Sequence, residues 1–158
     1  MRRPAGVNRG IVPGMEPRVG VTRLDHDSPE RFVSLRRALG VTSFGINQML
    51  LRPGERGRIH AHQRQEEVYL VLRGVLTVAI EGEERDIAEG GLIRLAPEVR
   101  RQLLNRGPGI CSLVALGGAG AHEGRDGLAY ADWDDAAPRP PQEIPLPEDL
   151  PHGELRTG

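Results

Sequence analysis

Three side chains that can bind a metal ion lie close together near the middle of the chain. His60 and His62 are two residues apart, so in a β-strand both side chains leave the same face. Glu67 follows after a short reversal, and alternation along the returning strand places it on one face with Tyr69. If that face is the inner one, two imidazoles and one carboxylate converge. Such a set suits a divalent ion such as Fe, Mn, Ni or Zn and leaves open positions for other ligands.

The elements that must position these side chains are short strands. From residue 41 to 116 apolar residues recur with a period of two, and turn signals such as Arg52-Pro53-Gly54 separate the runs. Many short strands without long helical patterns between them predict an all-β antiparallel sandwich or barrel. We expect strands at about 43–51, 57–62, 67–73, 75–81, 83–88, 91–95, 100–105 and 110–116.

Two flanking segments differ from this region in composition. Residues 1–40 are irregular, apart from a short helix predicted over 28–39, where Ser28-Pro29-Glu30 is a start signal and Gly40 a stop signal. The barrel domain is expected over 41–118. Residues 119–158 are rich in Pro and acidic residues towards their end, which predicts an extended, partly disordered C-terminal tail.

The stretch from Gly54 to Gly74 resembles the first motif of the cupin superfamily, G-x5-H-x-H-x4-E-x6-G. Every element of that motif is matched, by Gly54, His60, His62, Glu67 and Gly74. The resemblance implies a double-stranded β-helix, or jelly-roll barrel, which is usually dimeric. It also implies a divalent metal ion (Fe, Mn, Ni or Zn) inside the barrel, held by the two histidines and the glutamate.

The second cupin motif, G-x5-P-x-G-x2-H-x3-N, is degenerate. Its candidate runs from Gly90 to Asn105, and Arg101 stands where the family has its fourth ligand, a histidine. A register shifted by one residue places Gln102 there instead and loses the asparagine. A guanidinium cannot ligate a metal ion, because it has no lone pair to give and stays protonated.

Three roles remain open for Arg101. It can anchor an anionic group of a substrate beside a metal held by three ligands. It can pair with Glu67 inside the barrel, so that its charge replaces the metal, or it can point outward. Tyr69, on the same strand face as Glu67, and Gln48, at the expected barrel mouth, are further candidates for substrate binding.

Composition excludes several function classes. All 21 basic residues are arginine, so Schiff-base catalysis and a P-loop lysine are excluded. A net charge of −1 and the lack of a nucleotide-binding fingerprint argue against nucleic-acid and dinucleotide partners. No apolar run is long enough to span a membrane. With one cysteine and no signal-peptide pattern, a cytoplasmic location is expected.

These observations predict a metal-binding single-domain cupin that takes a small anionic or polar molecule into its barrel, as a homodimer. If it is an enzyme, the resemblance implies a metal-dependent dioxygenase, isomerase or decarboxylase. The alternative is a non-catalytic binding or sensory barrel in which the metal is structural or absent.

Overall fold

Two antiparallel sheets make up the fold. The structure is a computed structural model, and it describes residues 19–119 and 125–157. Within these residues the elements are β1 (Phe32–Ser34), α1 (Leu35–Leu39), β2 (Gly45–Leu51), β3 (Ile59–His62), β4 (Glu66–Arg73), β5 (Leu76–Ile80), β6 (Glu83–Ile87), β7 (Leu92–Leu95), β8 (Arg101–Leu104), β9 (Cys111–Gly118), β10 (Gly127–Tyr130) and 3-10 turns at Pro141–Glu143 and His152–Glu154.

Each sheet has five strands. The first has the order β1-β2-β9-β4-β7 and the second the order β10-β3-β8-β5-β6. Inward side chains of both sheets, among them Tyr69 and Leu113 from the first and Val78 and Leu103 from the second, form one apolar core. The predicted all-β jelly-roll fold is confirmed, and the predicted strands from β2 to β9 begin and end within about two residues of the observed ones.

The predicted N-terminal helix over 28–39 is wrong at its start. The helix spans only Leu35–Leu39, and Gly40 ends it in the left-handed conformation (φ 72°), as expected. Ser28 does not cap a helix; its hydroxyl accepts a hydrogen bond from the backbone N–H of Glu30. The residues between form β1, because Phe32–Ser34 complete the edge of β2 by backbone pairing. Local helix signals are thus overridden by an available sheet edge.

The C-terminal segment differs from the prediction of a partly disordered tail. The segment begins with β10 at the edge of the second sheet, and farther along Leu150 contacts Ala79 and Leu104 on the outer face of that sheet. Leu150 is 8% exposed, and its backbone N–H donates to the Gly54 carbonyl at 2.8 Å. The segment lies on the barrel because its few apolar side chains cover sheet surface that would otherwise be exposed.

Replacing Leu150 with alanine is expected to lower the free energy of unfolding by about 2–4 kcal/mol, since a buried leucine loses its contacts and leaves a cavity. The matched control is Leu146→Ala in the same segment, where the side chain is 47% exposed. That variant should change stability by less than about 0.5 kcal/mol. Equal losses in urea titrations of the two variants would contradict the packed position of Leu150.

The outer face of the first sheet carries half-buried Val68, Leu70 and Leu72 and the exposed Leu92. Such a face is typical of a surface that another chain covers. Homodimerisation therefore stays a prediction, which light scattering tests. None of the helices in the described residues is long and apolar enough to cross a membrane.

Candidate metal centre

The two histidines and the glutamate of the first motif converge as predicted. His60 and His62 lie on β3 in the second sheet, and Glu67 lies on β4 in the first sheet. One donor atom from each residue can be chosen so that the three atoms lie within 4.8 Å of one another. The turn at 63–65 joins β3 to β4, and so it brings ligands from the two sheets together. All three side chains keep some solvent exposure.

His60 presents its Nε2 atom to the cluster. Its Nδ1 lies 3.1 Å from the carbonyl oxygen of Arg58, which can only accept a hydrogen bond. Nδ1 therefore carries the proton, and in the neutral ring Nε2 keeps its lone pair. That Nε2 atom lies 3.6 Å from Glu67 Oε2. The backbone of β3 thus fixes the ring in the form that a metal ion requires.

His62 is the least satisfied side chain of the cluster. Both of its ring nitrogens are buried, and neither makes a hydrogen bond to any of the described residues. Nε2 lies 3.2 Å from Glu67 Oε1. Leaving buried polar atoms unpaired costs about 1–3 kcal/mol, whereas a bound cation would satisfy Nε2. The donor set and this unpaired nitrogen fit a divalent metal ion at the position between the three residues.

Glu67 is held as a carboxylate. Burial alone would raise its pKa, but interaction with the adjacent rings of His60 and His62 outweighs burial and holds the pKa well below its usual range. The hydroxyl of Tyr69 donates to Oε2 at 2.5 Å. Burial, and then the charge of Glu67, raise the pKa of Tyr69, so the phenol keeps its proton and remains a donor.

Arg101 points into the barrel beside these residues. It lies on β8 opposite His60 and is fully buried, which excludes the outward orientation considered above. Its Nε atom lies 3.5 Å from Glu67 Oε2. Its terminal nitrogens donate to three backbone carbonyls of one loop, those of Ala96, Pro97 and Val99. The guanidinium therefore spans from Glu67 to the loop before β8, and its Nε atom has no hydrogen-bond partner among the described residues.

The match to known families agrees with this geometry. Residues 47–117 match the family model described as Cupin domain. This part of the chain is a cupin domain. Among curated proteins, none matches the sequence.

Solved structures share the fold of this cupin at low sequence identity. A cupin protein from Bacteroides fragilis is 23% identical and has a TM-score of 0.59, over 69% of this chain and 92% of that one. A sugar phosphate isomerase of the cupin superfamily from Silicibacter pomeroyi is 23% identical, with a TM-score of 0.57, over 85% and 93%. A putative sugar phosphate isomerase from Acidithiobacillus ferrooxidans is 20% identical, with a TM-score of 0.55, over 75% and 80%.

One predicted substrate-binding residue of the cupin lies away from the metal centre. Gln48 alternates along β2 with Met49, which packs on the core, so its side chain leaves the opposite, outer face. There its amide bonds the backbone of Asp25 and the hydroxyl of Ser112. Tyr69 and Arg101, in contrast, both contact Glu67. The structure thus brings together every predicted site residue except Gln48.

One residue of the site was missed by the sequence reasoning. Asp126 lies directly before β10, and its carboxylate Oδ2 is 3.6 Å from His62 Nδ1. It lies outside residues 47–117, and no motif marks it. Its only sequence signal is its place between the glycine-rich stretch after β9 and the apolar run of β10. His122, which follows the glycine-rich stretch and is a weaker candidate for a metal ligand, lies outside the described residues.

Proposed function

We propose that this cupin binds a divalent metal ion through His60, His62 and Glu67 and uses it to hold a small anionic or polar molecule. The observation that carries the proposal is the convergence of these donors around a buried histidine nitrogen that has no hydrogen bond in the described part of the chain. A metal ion in such a set supplies Lewis acidity towards an oxygen atom of the bound molecule. The identity of the metal (Fe, Mn, Ni or Zn) has to be determined by experiment.

The two oxygens of Glu67 have different surroundings, and this supports metal binding by three residues. Oε2 accepts the hydrogen bond of Tyr69 and lies beside Arg101 Nε. Oε1 faces only His62 Nε2 among the contacts of the described residues. Tyr69 and Arg101 therefore hold the carboxylate so that Oε1 is available as the ligand atom. We propose this positioning role for Arg101 and Tyr69 beside the predicted role in substrate binding, which stays a prediction.

Formal charges favour an anionic molecule. Glu67 and Asp126 are carboxylates, and Arg101 is the buried cation beside them. A divalent ion would leave this cluster with one net positive charge. A cationic centre in a site of low dielectric attracts anions, and bidentate carboxylates or phosphates bind metals well.

Isomerase-type chemistry is the first catalytic activity to test. Two of the structural neighbours are named as sugar phosphate isomerases, and a small phosphorylated sugar is an anion with a carbonyl oxygen that a metal ion polarises. Dioxygenase and decarboxylase chemistry remain the other predicted enzyme classes. The fold itself does not choose among them.

A metal-free binding or sensory barrel is the second candidate function. One observation favours it: the buried Arg101 already lies 3.5 Å from Glu67 and gives it a counter-charge. In that case the barrel binds a small molecule without Lewis acidity.

The test is water-proton relaxation of the metal-stripped protein titrated with Mn²⁺. A three-residue site with open positions is expected to bind one Mn²⁺ per chain and enhance relaxation through its bound water. Acetate or inorganic phosphate should then lower the enhancement by displacing that water. Absence of a bound, water-accessible Mn²⁺, together with absence of Zn²⁺ binding by calorimetry, would contradict the proposal and favour the metal-free barrel.

A further inference from the structure

The carboxylate of Asp126 lies where the metal centre meets the C-terminal segment. β10 pairs with the free edge of β3, with Gly127 opposite His62. Asp126 therefore lies beside the histidine although 64 positions separate the two residue numbers. Its side chain is only 3% exposed. A buried carboxylate requires hydrogen-bond or charge partners. The partners of Asp126 indicate its role.

One set of partners is the turn between the metal ligands. Oδ2 of Asp126 accepts the backbone N–H groups of Arg64 at 3.0 Å and Gln65 at 2.7 Å. The Asp126 carbonyl also accepts the N–H of Gln63 at 3.0 Å. These three residues are the turn that joins His62 to the strand of Glu67. Asp126 thus fixes the loop that sets the separation of the ligands.

The other partner is His62 itself. Nδ1 of His62 is buried, forms no hydrogen bond within residues 19–119 and 125–157, and lies 3.6 Å from Oδ2. A shift of about half an ångström would bring the pair within hydrogen-bond distance. Because a carboxylate only accepts, it favours the ring form with the proton on Nδ1 and the lone pair on Nε2. In that form Nε2 faces Glu67, as the backbone arranges for His60.

We infer that Asp126 is a positioning residue for the metal ligand His62, holding its ring orientation and tautomer from outside the region that matches the family. The inference rests on the proposed metal site. Metal-ligating histidines generally donate their other N–H to such an acceptor, and loss of the acceptor lowers metal affinity by about 10–100-fold. The C-terminal segment is therefore part of the functional site and more than a cover for the barrel.

The test compares Asp126→Asn with Asp135→Asn. Asparagine keeps an oxygen that can accept the Arg64 and Gln65 N–H groups, but it lacks the negative charge. Asp135 is a matched control, since its carboxylate also accepts two backbone N–H groups, from Ala131 and Ala137, and contacts none of the metal ligands. Zn²⁺ affinity should fall about tenfold in the Asp126 variant and remain unchanged in the control. Equal Zn²⁺ affinity in the wild type and Asp126→Asn would overturn the inference.

A second readout needs no metal. In the metal-free protein Glu67 Oε1, 3.2 Å from Nε2, favours Nε2–H and Asp126 favours Nδ1–H. Nitrogen-15 NMR should therefore show a larger share of the Nδ1–H form of His62 in the wild type than in Asp126→Ala. If the wild type binds no metal but shows this tautomer change, the proposed function fails and the positioning role stands. If the tautomer is the same in the wild type, Asp126→Asn and Asp126→Ala, the positioning role fails whether or not metal binds.

Discussion

Replacing His62 with alanine is expected to weaken divalent metal binding by at least about a hundredfold. His62 supplies one of three donors, and its Nε2 faces Glu67 Oε1 at 3.2 Å with no hydrogen bond to satisfy it otherwise. With only one imidazole and one carboxylate left, the ion keeps too few protein ligands for tight binding. Calorimetric titration with Zn²⁺ and Mn²⁺ measures the change.

The fold should survive this change, since the lost imidazole makes no hydrogen bond within the described residues and its side chain is 15% exposed. His152→Ala is the matched control, because His152 is exposed in the last 3-10 turn and far from the ligands in sequence. It should leave metal affinity unchanged. Undiminished metal affinity in a folded His62→Ala variant would mean that the ion binds elsewhere, and the assigned ligand set would be wrong.

Replacing Arg101 with histidine should have two opposite effects. The metal-free protein should lose about 3 kcal/mol of stability, since three loop carbonyls each lose a guanidinium donor and Glu67 loses its buried counter-charge. Metal affinity should rise at least tenfold. Arg101 lies inward and opposite His60, so a histidine there can add a fourth nitrogen donor and remove a positive charge. Thermal unfolding with and without Zn²⁺ separates the effects.

Arg101→Met is the control that removes the guanidinium without adding a ligand. It should show the same loss of stability in the metal-free state and bind metal less tightly than Arg101→His. Equal affinities of the two variants would contradict the fourth-ligand position of residue 101. If the wild type binds no metal and Arg101→Met does, the charge of Arg101 replaces the metal in the native protein.

The barrel and the central ligands were predictable from the sequence, because both depend on local patterns. The period of two gives the strands, and the spacing of His60, His62 and Glu67 across the short turn between two consecutive strands brings them together. Arg101 was identified as a candidate because it stands where the family pattern has its fourth metal ligand; the direction of its side chain stayed open. The contacts of its guanidinium depend on the conformation of the loop before β8, which the periodicity of the sequence does not predict.

The remaining features depend on tertiary packing. Gln48 was expected at the barrel mouth, but both faces of β2 are buried, since the segment at Asp25 covers the outer one. Alternation alone cannot identify the inner face of such a strand. Asp126 reaches His62 only because β10 returns to the edge of β3. The prolines of the C-terminal segment suggested disorder, yet Ile144 and Leu150 bury enough apolar surface to fix it on the barrel.

The measurement that tests the central claim most directly is the metal content per chain, by native mass spectrometry of untagged protein purified without added metal or chelator. The three-ligand site predicts close to one divalent ion per wild-type chain and none in His62→Ala. Iron would direct the search towards oxygen activation, and zinc towards Lewis-acid or structural roles. A wild-type chain that is empty as purified, and still empty after titration with Fe²⁺, Mn²⁺, Ni²⁺ and Zn²⁺, would contradict the claim.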